Sequence, residues 1–334
     1  MPKYKDTDYL HISSRVKMLE AKLLGKDVFE KIIESDTSEN VIRVLLDNGY
    51  DAGDKALEKP EDFEILLMAE QERVYSFLEQ NVSDRTLIDL FCLPYDYQNI
   101  KAVLKAEYLG INPDRMMFSN GTIEKQTILS AVSNRDKSVL SQKMYEAVEN
   151  SVEAYAKTGD PQQLDIFCDK FCFEDILNRA KKSDFDFLYV YFTKKVDLLN
   201  ISAFIRLRKI KKDYKFFEKV FIPCENGIKL KFYEDLYDQP IAAFIDALAN
   251  TIYSSMAEKI NPANVDIEAI EEAIEDYSIS MIQSFRYVPF GPQVPLSFLL
   301  AKDEEIKNLR VAISAKLAGL SGERIRERLR LGYV

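Results

Sequence analysis

Cys168 and Cys172, in "FCDKFCFED", stand four residues apart, a spacing that puts two thiols on one helical face and offers half of a metal site. Cys92 and Cys224 form no second pair, and His11 is the only histidine, so nothing completes the site. Two buried cysteines acting as small hydrophobes account for the pair. One histidine also excludes a two-histidine zinc site, and a nucleophile relay would rest on His11 alone. No Gly-x-x-x-x-Gly-Lys-Ser/Thr run is present to cradle phosphates. The glycines of "GLSGER", 319–324, read as helix caps. The acid run "DIEAIEEAIEDY", 266–277, is the magnesium candidate, but Glu268, Glu271, Glu272, Glu275 and Asp276 lack the Asp-rich counterpart that a paired site needs. Ile267, Ile270, Ile274 and Tyr277 predict a buried stripe there, with the acids on the solvated or partner-facing side. The closing "GERIRERLRLGYV" interleaves Arg324, Arg326, Arg328 and Arg330 with Glu323 and Glu327 around Ile325 and Leu329. That pattern predicts a salt-bridged surface helix, with a basic strip facing an acidic partner or lipid headgroups as the alternative. The inventory predicts no catalytic residue, no cofactor and no metal.

The elements that carry these residues read as helices. Eleven glycines and eleven prolines in 334 residues are about half the average share, roughly 12 % of a chain. Apolar residues recur at helical period, as in Phe63, Leu66, Leu67, Val74, Phe77 and Leu78, or Phe185, Leu188, Phe192, Val196 and Leu199. The expected fold class is all-α. A net charge of −10 argues against nucleic acid as a partner. The longest apolar run, "FLYVYF" at 187–192, is far too short to span a bilayer, and the opening "MPKYKDTDYL" lacks a signal-peptide core. Four cysteines make no disulfide framework and fit a reducing compartment, so the expectation is a soluble, intracellular protein.

One helical phrase recurs. In "PYDYQNIKAVLKAEYLGI", "VDLLNISAFIRLRKIKK" and "KDEEIKNLRVAISAKLAGL" an acid (Asp96, Asp197, Glu305) precedes an asparagine (Asn99, Asn200, Asn308) by three. Apolar residues follow at plus one (Ile100, Ile201, Leu309) and plus five (Leu104, Ile205, Ile313). A degenerate fourth copy, "DYLHISSRV", puts Asp8, His11, Ile12 and Val16 in those slots, which gives His11 a hydrogen-bonding structural role. The anchors lie 88, 101 and 108 positions apart, too far for common solenoid repeats, which run about 20 to 50 residues. Asn-Gly turns follow two copies, in "FSNGT" and "CENGI". Three copies of a small helical domain are expected, at 1–118, 119–224 and 225–334, with one terminal helix completing a domain begun at the other end. The asparagines should sit at the edge of each buried face and bond backbone groups of a neighbouring turn.

The ending "GPQVPLSFLLAKDEEIKNLRVAISAKLAGLSGERIRERLRLGYV", 291–334, closely resembles that of the C subunits of the bacterial and archaeal V-type (A-type) rotary ATPases, relatives of the eukaryotic d subunit. The carrying features are Lys302–Glu305, Asn308–Arg310, Lys316, Gly319-Leu320 and the arginine-rich last helix; "PYDYQNIKAVLKAEYLG" and "YLHISSRVKMLEAKLL" extend the similarity along the chain. Where that family usually has two adjacent glycines, this chain has Asn-Gly, and asparagine tolerates a left-handed turn. Lys211 replaces the glycine that ends the other two copies (Gly110, Gly319), which predicts that its helix runs further. The resemblance implies three helical domains with approximate threefold symmetry forming a funnel-shaped socket. It also implies a noncatalytic central-stalk protein on the cytoplasmic face of the membrane, linking the shaft subunits (D and F type) to the proteolipid rotor ring, with the membrane stator as a further contact. The arginines 324–330 and the acids 268–276 are the candidate partner contacts. An unrelated helical adaptor scaffold and a helical magnesium-dependent prenyl-chain enzyme are the alternatives.

Overall fold

The computed structural model describes residues 4–55, 57, 59–260 and 267–329, and the side chains of all of these but Ile267. The described chain is helical, with no strand. In order the helices are α1 (Leu10–Glu20), α2 (Lys26–Glu34), α3 (Ser38–Asp47), α4 (Phe63–Asn81), α5 (Thr86–Leu109), α6 (Lys125–Ser133), α7 (Gln142–Thr158), α8 (Gln162–Lys182), α9 (Asp186–Lys209), α10 (Tyr214–Val220), α11 (Leu230–Leu236), α12 (Ile241–Leu248), α13 (Ser254–Ala257), α14 (Ile267–Arg286), α15 (Gln293–Leu317) and α16 (Gly322–Arg328). Two compact units result. One combines the described chain up to Ile88 with that from Ser278 onward, and the other is Asp89–Tyr277.

In the first unit α15 lies against α1, α2, α4 and α16. Its Ile306, Leu309, Ala312 and Ile313 join Phe29, Ile32, Val41, Leu45, Leu66 and Leu67 in one core, which Ile325 of α16 seals. The face expected on α4 is buried except at Phe77, which is half-buried beneath the Arg15 guanidinium, 4.6 Å from the ring centroid. Lys302 is buried between Glu305 (2.7 Å) and Glu70 (3.2 Å), so its charge enters the core paired on two sides.

In the second unit α8 packs between α7 and α9. Lys101 and Lys105 of α5 meet Asp169 and Asp165 of α8 at 2.8 and 2.7 Å. Phe204 of α9 centres an aromatic core, stacked on Phe244 at 4.3 Å and flanked by Phe217, Tyr233 and Tyr237. One residue of the face expected on α9 falls outside it: Leu199 is 37 % exposed. Past Val196 the buried face rotates to Asp197, Asn200, Ile201 and Phe204, because the polar pair in it must reach a loop.

The three long helices, α5, α9 and α15, end alike. In each the residue eleven past the asparagine is left-handed, with φ 65° at Gly110, 56° at Lys211 and 77° at Gly319. The next amide then bonds back to the last turn: Ile111 to Ala106 (3.1 Å), Lys212 to Leu207 (3.0 Å), Leu320 to Ala315 (3.0 Å). Lys211 therefore does not prolong its helix, contrary to the expectation from its side chain. Two returning bonds, Lys212 to Leu207 and the Lys211 amide to the Arg208 carbonyl (3.0 Å), and the start of α10 at Tyr214 outweigh a left-handed lysine, which costs about 1–2 kcal/mol.

Candidate functional site: a repeated clamp between long helix and loop

Asn99 lies on α5 with its apolar neighbours Ile100 and Leu104 fully buried, and its amide is sealed with them. The Nδ2 donates to the carbonyl of Phe118 (2.9 Å) while the Oδ1 accepts from the Phe118 amide (2.8 Å). Asn200 does the same to Ile222, at 2.9 Å in both directions. A side-chain amide thus acts as one residue of a β-ladder, satisfying both backbone groups of one loop residue. Asn308 donates to the Glu304 carbonyl within its own helix (2.9 Å) and is buried at the same position.

In the first two copies the acid one turn earlier holds the same loop further along, and in the third the acid alone reaches a loop. Asp96 accepts from the amides of Thr122 (3.0 Å) and Ile123 (3.2 Å) and from the Thr122 hydroxyl (2.6 Å). Asp197 accepts from the Ile228 amide (2.9 Å) and the Tyr253 hydroxyl (2.7 Å). Glu305 accepts from the Leu24 amide (2.5 Å) and the Tyr50 hydroxyl (2.6 Å). The captured amides lie just ahead of α6, α11 and α2 respectively. The third loop comes from the opposite end of the chain, so the pattern closes cyclically. Burial raises the Asp96 and Asp197 carboxyls above the usual aspartate range despite these donors, and it raises the Tyr50 and Tyr253 hydroxyls too, beside Glu305 and Asp197.

The Asn-Gly turns serve this contact. Neither Asn120-Gly121 nor Asn226-Gly227 has positive φ, so left-handed tolerance, the expectation from their sequence, is not what they supply. A Cβ on Gly121 would collide with the Asp96 carboxylate, and one on Gly227 with that of Asp197. The turns need a missing side chain for close approach. Tyr50, Tyr253 and Lys302 complete the clamps; the tyrosines were not singled out in the sequence, and Lys302 only as a feature of the family resemblance, with no role given. Each lacks a counterpart in at least one copy, so alignment of the repeats gives them no signal.

The fourth copy is not a clamp. His11 is exposed and makes no hydrogen bond to a described residue, and Asp8 only caps the turn before α1 by accepting from the Lys5 amide (3.2 Å). The slot fails because α1 turns Ile12, Ser13 and Val16 inward and leaves His11 on the solvent side.

The remaining candidates spread over two units. Arg324 and Arg328 are exposed, Arg326 forms a fork with Glu30 (2.6 Å at its shortest), and Arg330 lies outside the described residues. On α14 Glu268 and Glu272 are exposed and Glu275 half-buried, while Glu271 meets Arg206 at 2.6 Å and Asp276 meets Lys259 at 2.8 Å. Of the stripe expected on α14 only Ile270 is buried: Ile274 and Tyr277 are half-buried, the side chain of Ile267 is not described, and the buried face is Ile270 with Ala273, Ile279 and Ile282. Cys168 and Cys172 are buried thiols, the first pushed up to about 12 by burial, which keeps both protonated. No cluster of His, Cys, Asp or Glu among the described residues could hold a metal ion. No described helix is long and apolar enough to cross a membrane.

With this geometry in place, comparison with known proteins is specific. Residues 12–328 match the family described as ATP synthase (C/AC39) subunit. The chain is similar to the C subunit of the V-type sodium ATPase of Enterococcus hirae, 24% identical over 98% of this chain and 99% of that one. It is likewise similar to the C subunit of the A-type ATP synthase of Thermococcus kodakarensis, 27% identical over 97% of this chain and 91% of that one. The corresponding protein of Methanococcoides burtonii is 23% identical over 97% and 94%.

Proposed function

The chain belongs to the ATP synthase (C/AC39) subunit family, and from that premise we propose that it is the noncatalytic central-stalk component of a V/A-type rotary ATPase. In this reading it sits on the cytoplasmic face of the membrane, receives the shaft subunits of D and F type, and seats on the proteolipid rotor ring. The membrane stator is a further contact. Its work is mechanical: it carries torque between the nucleotide-consuming head and the ion-carrying ring, so that ATP synthesis or hydrolysis and ion translocation proceed together.

One observation carries the reading. Family similarity runs over nearly the whole chain, and the three acids and two of the three asparagines of the shared repeat are spent on holding loops to long helices. A torque-bearing part needs rigid connections between its helices, and a side chain that satisfies both backbone groups of a loop residue supplies one. Three such units around a common axis would form the funnel-shaped socket that receives a shaft.

Reconstituted vesicles test the proposal. A complex assembled without this protein should hydrolyse ATP with little ion uptake, and adding it back should restore pumping. Normal ion transport in its absence would overturn the coupling role.

A further inference from the structure

The segment Arg206–Lys215, closing α9 and opening α10, carries six lysines and arginines in ten residues against one acid, in a chain of net charge −10. Three of the six are engaged, Arg206 with Glu271, Arg208 with the Gln239 carbonyl, and Lys212 over the Phe216 ring, 4.9 Å from its centroid. Lys209, Lys211, Lys212 and Lys215 are exposed and make no ion pair with a described residue. Two acids lie near: Asp213 accepts from the Phe216 amide (2.9 Å), and Asp160 is held below the ordinary aspartate range first by the Gln162 amide (3.0 Å) and in part by the charges of Lys212 and Lys219, so four exposed lysines face two carboxylates. Among the lysines Ile210 is 61 % exposed. The end of α5, tied to the start of α8 by Lys105 and Asp165, brings Leu109, 69 % exposed, to the same end of the unit; Lys219 beyond Lys212 bonds Gln163 there.

A second observation is independent of charge. Lys211 is left-handed where the other two long helices have glycine. A residue kept in a strained conformation that glycine would relieve suggests use of its side chain. Protein–protein interfaces are depleted in lysine and enriched in aromatic residues and arginine at their cores. Flexible lysines around protruding aliphatic side chains instead suit a surface of mobile anions over an apolar layer.

We propose that the α9–α10 turn is a contact for an anionic lipid surface, with Lys209, Lys211, Lys212 and Lys215 on headgroup phosphates and Ile210 at headgroup depth. The contact goes beyond the coupling role and does not depend on it.

Co-sedimentation of the whole chain with vesicles of phosphatidylcholine, alone or mixed with phosphatidylglycerol, tests the proposal. Binding should require phosphatidylglycerol and weaken as salt rises. The triple variant Lys209→Gln, Lys211→Gln, Lys212→Gln should bind on the order of a hundredfold more weakly. The charge-matched variant Lys26→Gln, Lys31→Gln, Lys55→Gln should bind like the parent. Lys211→Gly alone should bind about fivefold more weakly while melting at a higher temperature, which separates use of the side chain from damage to the fold. Circular dichroism of each variant controls for folding. Equal binding to neutral vesicles, equal loss in both triple variants, or no loss in the first would overturn the proposal. Binding to polyglutamate without binding to vesicles would assign the turn to an acidic protein instead and overturn it as well.

Discussion

Asn200 is buried because both its polar atoms are occupied, and the occupant is a single loop residue. Asn200→Ala would strip partners from the buried amide and carbonyl of Ile222, so denaturant unfolding should show a loss of about 1–3 kcal/mol. Asn99→Ala should match it, since Phe118 is held in the same two-way manner. A stability unchanged within error at either site would mean that water replaces the clamp without penalty. Lys211 supplies the opposite sign: Lys211→Gly should stabilise the fold by about 1 kcal/mol, read by thermal melting, because glycine adopts the left-handed conformation without steric cost. The register of these residues was legible in the sequence as an acid, an asparagine and two apolar positions. Their partners were not, because a backbone group in a distant loop leaves no mark on residue type. Lys211 misled for a related reason: the side chain argues against a left-handed cap by only about 1–2 kcal/mol, which two returning hydrogen bonds overcome.

At the scale of elements, each long helix holds the approach to a short one through an acid, and that acid is buried. Burial raises the Asp197 carboxyl above its ordinary value. Its contribution to stability is then full below the ordinary aspartate pKa and is lost as pH rises through the raised one. Melting temperatures of the parent and of Asp197→Asn, followed upward from about pH 4, should therefore shift in favour of the variant as pH rises. A constant offset would show that the carboxyl titrates alike folded and unfolded. Gly227→Ala should lower stability at every pH, since the new methyl meets the Asp197 carboxylate and the loop must withdraw. The turns were visible from sequence as Asn-Gly, but their reason was not: close approach and left-handed backbone both favour glycine, and only coordinates tell them apart. The fourth copy shows the converse limit. Asp8, His11, Ile12 and Val16 share the spacing of the others, yet only Ile12 and Val16 do the same work, because apolar periodicity arises in any amphipathic helix while a clamp requires a loop within reach.

For the whole molecule the decisive fact is that the unit containing the N-terminal helices has its central helix at the far end of the chain. The spacing of the repeats suggested a terminal helix completing a domain begun elsewhere, but not that α2 and α4 as well as α1 lie on α15. Ile306, Leu309 and Ile313 of α15 are at most 1 % exposed, and Ile325 and Leu329 beyond it are also in that core. At about 1.5–3 kcal/mol for each such side chain, these five alone are worth on the order of 10 kcal/mol, comparable with the whole net stability of a typical domain. A chain ending at Pro292 also leaves Glu70 without Lys302, and the Leu24 amide and Tyr50 hydroxyl without Glu305. Its α1–α4 should accordingly lose amide protection in hydrogen exchange. The helices α7, α8 and α9 pack in sequence on one another within the other unit, so their slowest amides should keep the protection they have in the full chain. If α2–α4 stay protected in the truncated chain, the N-terminal helices carry a core of their own and α15 only covers it; if α7–α9 lose protection as well, the two units unfold as one cooperative body.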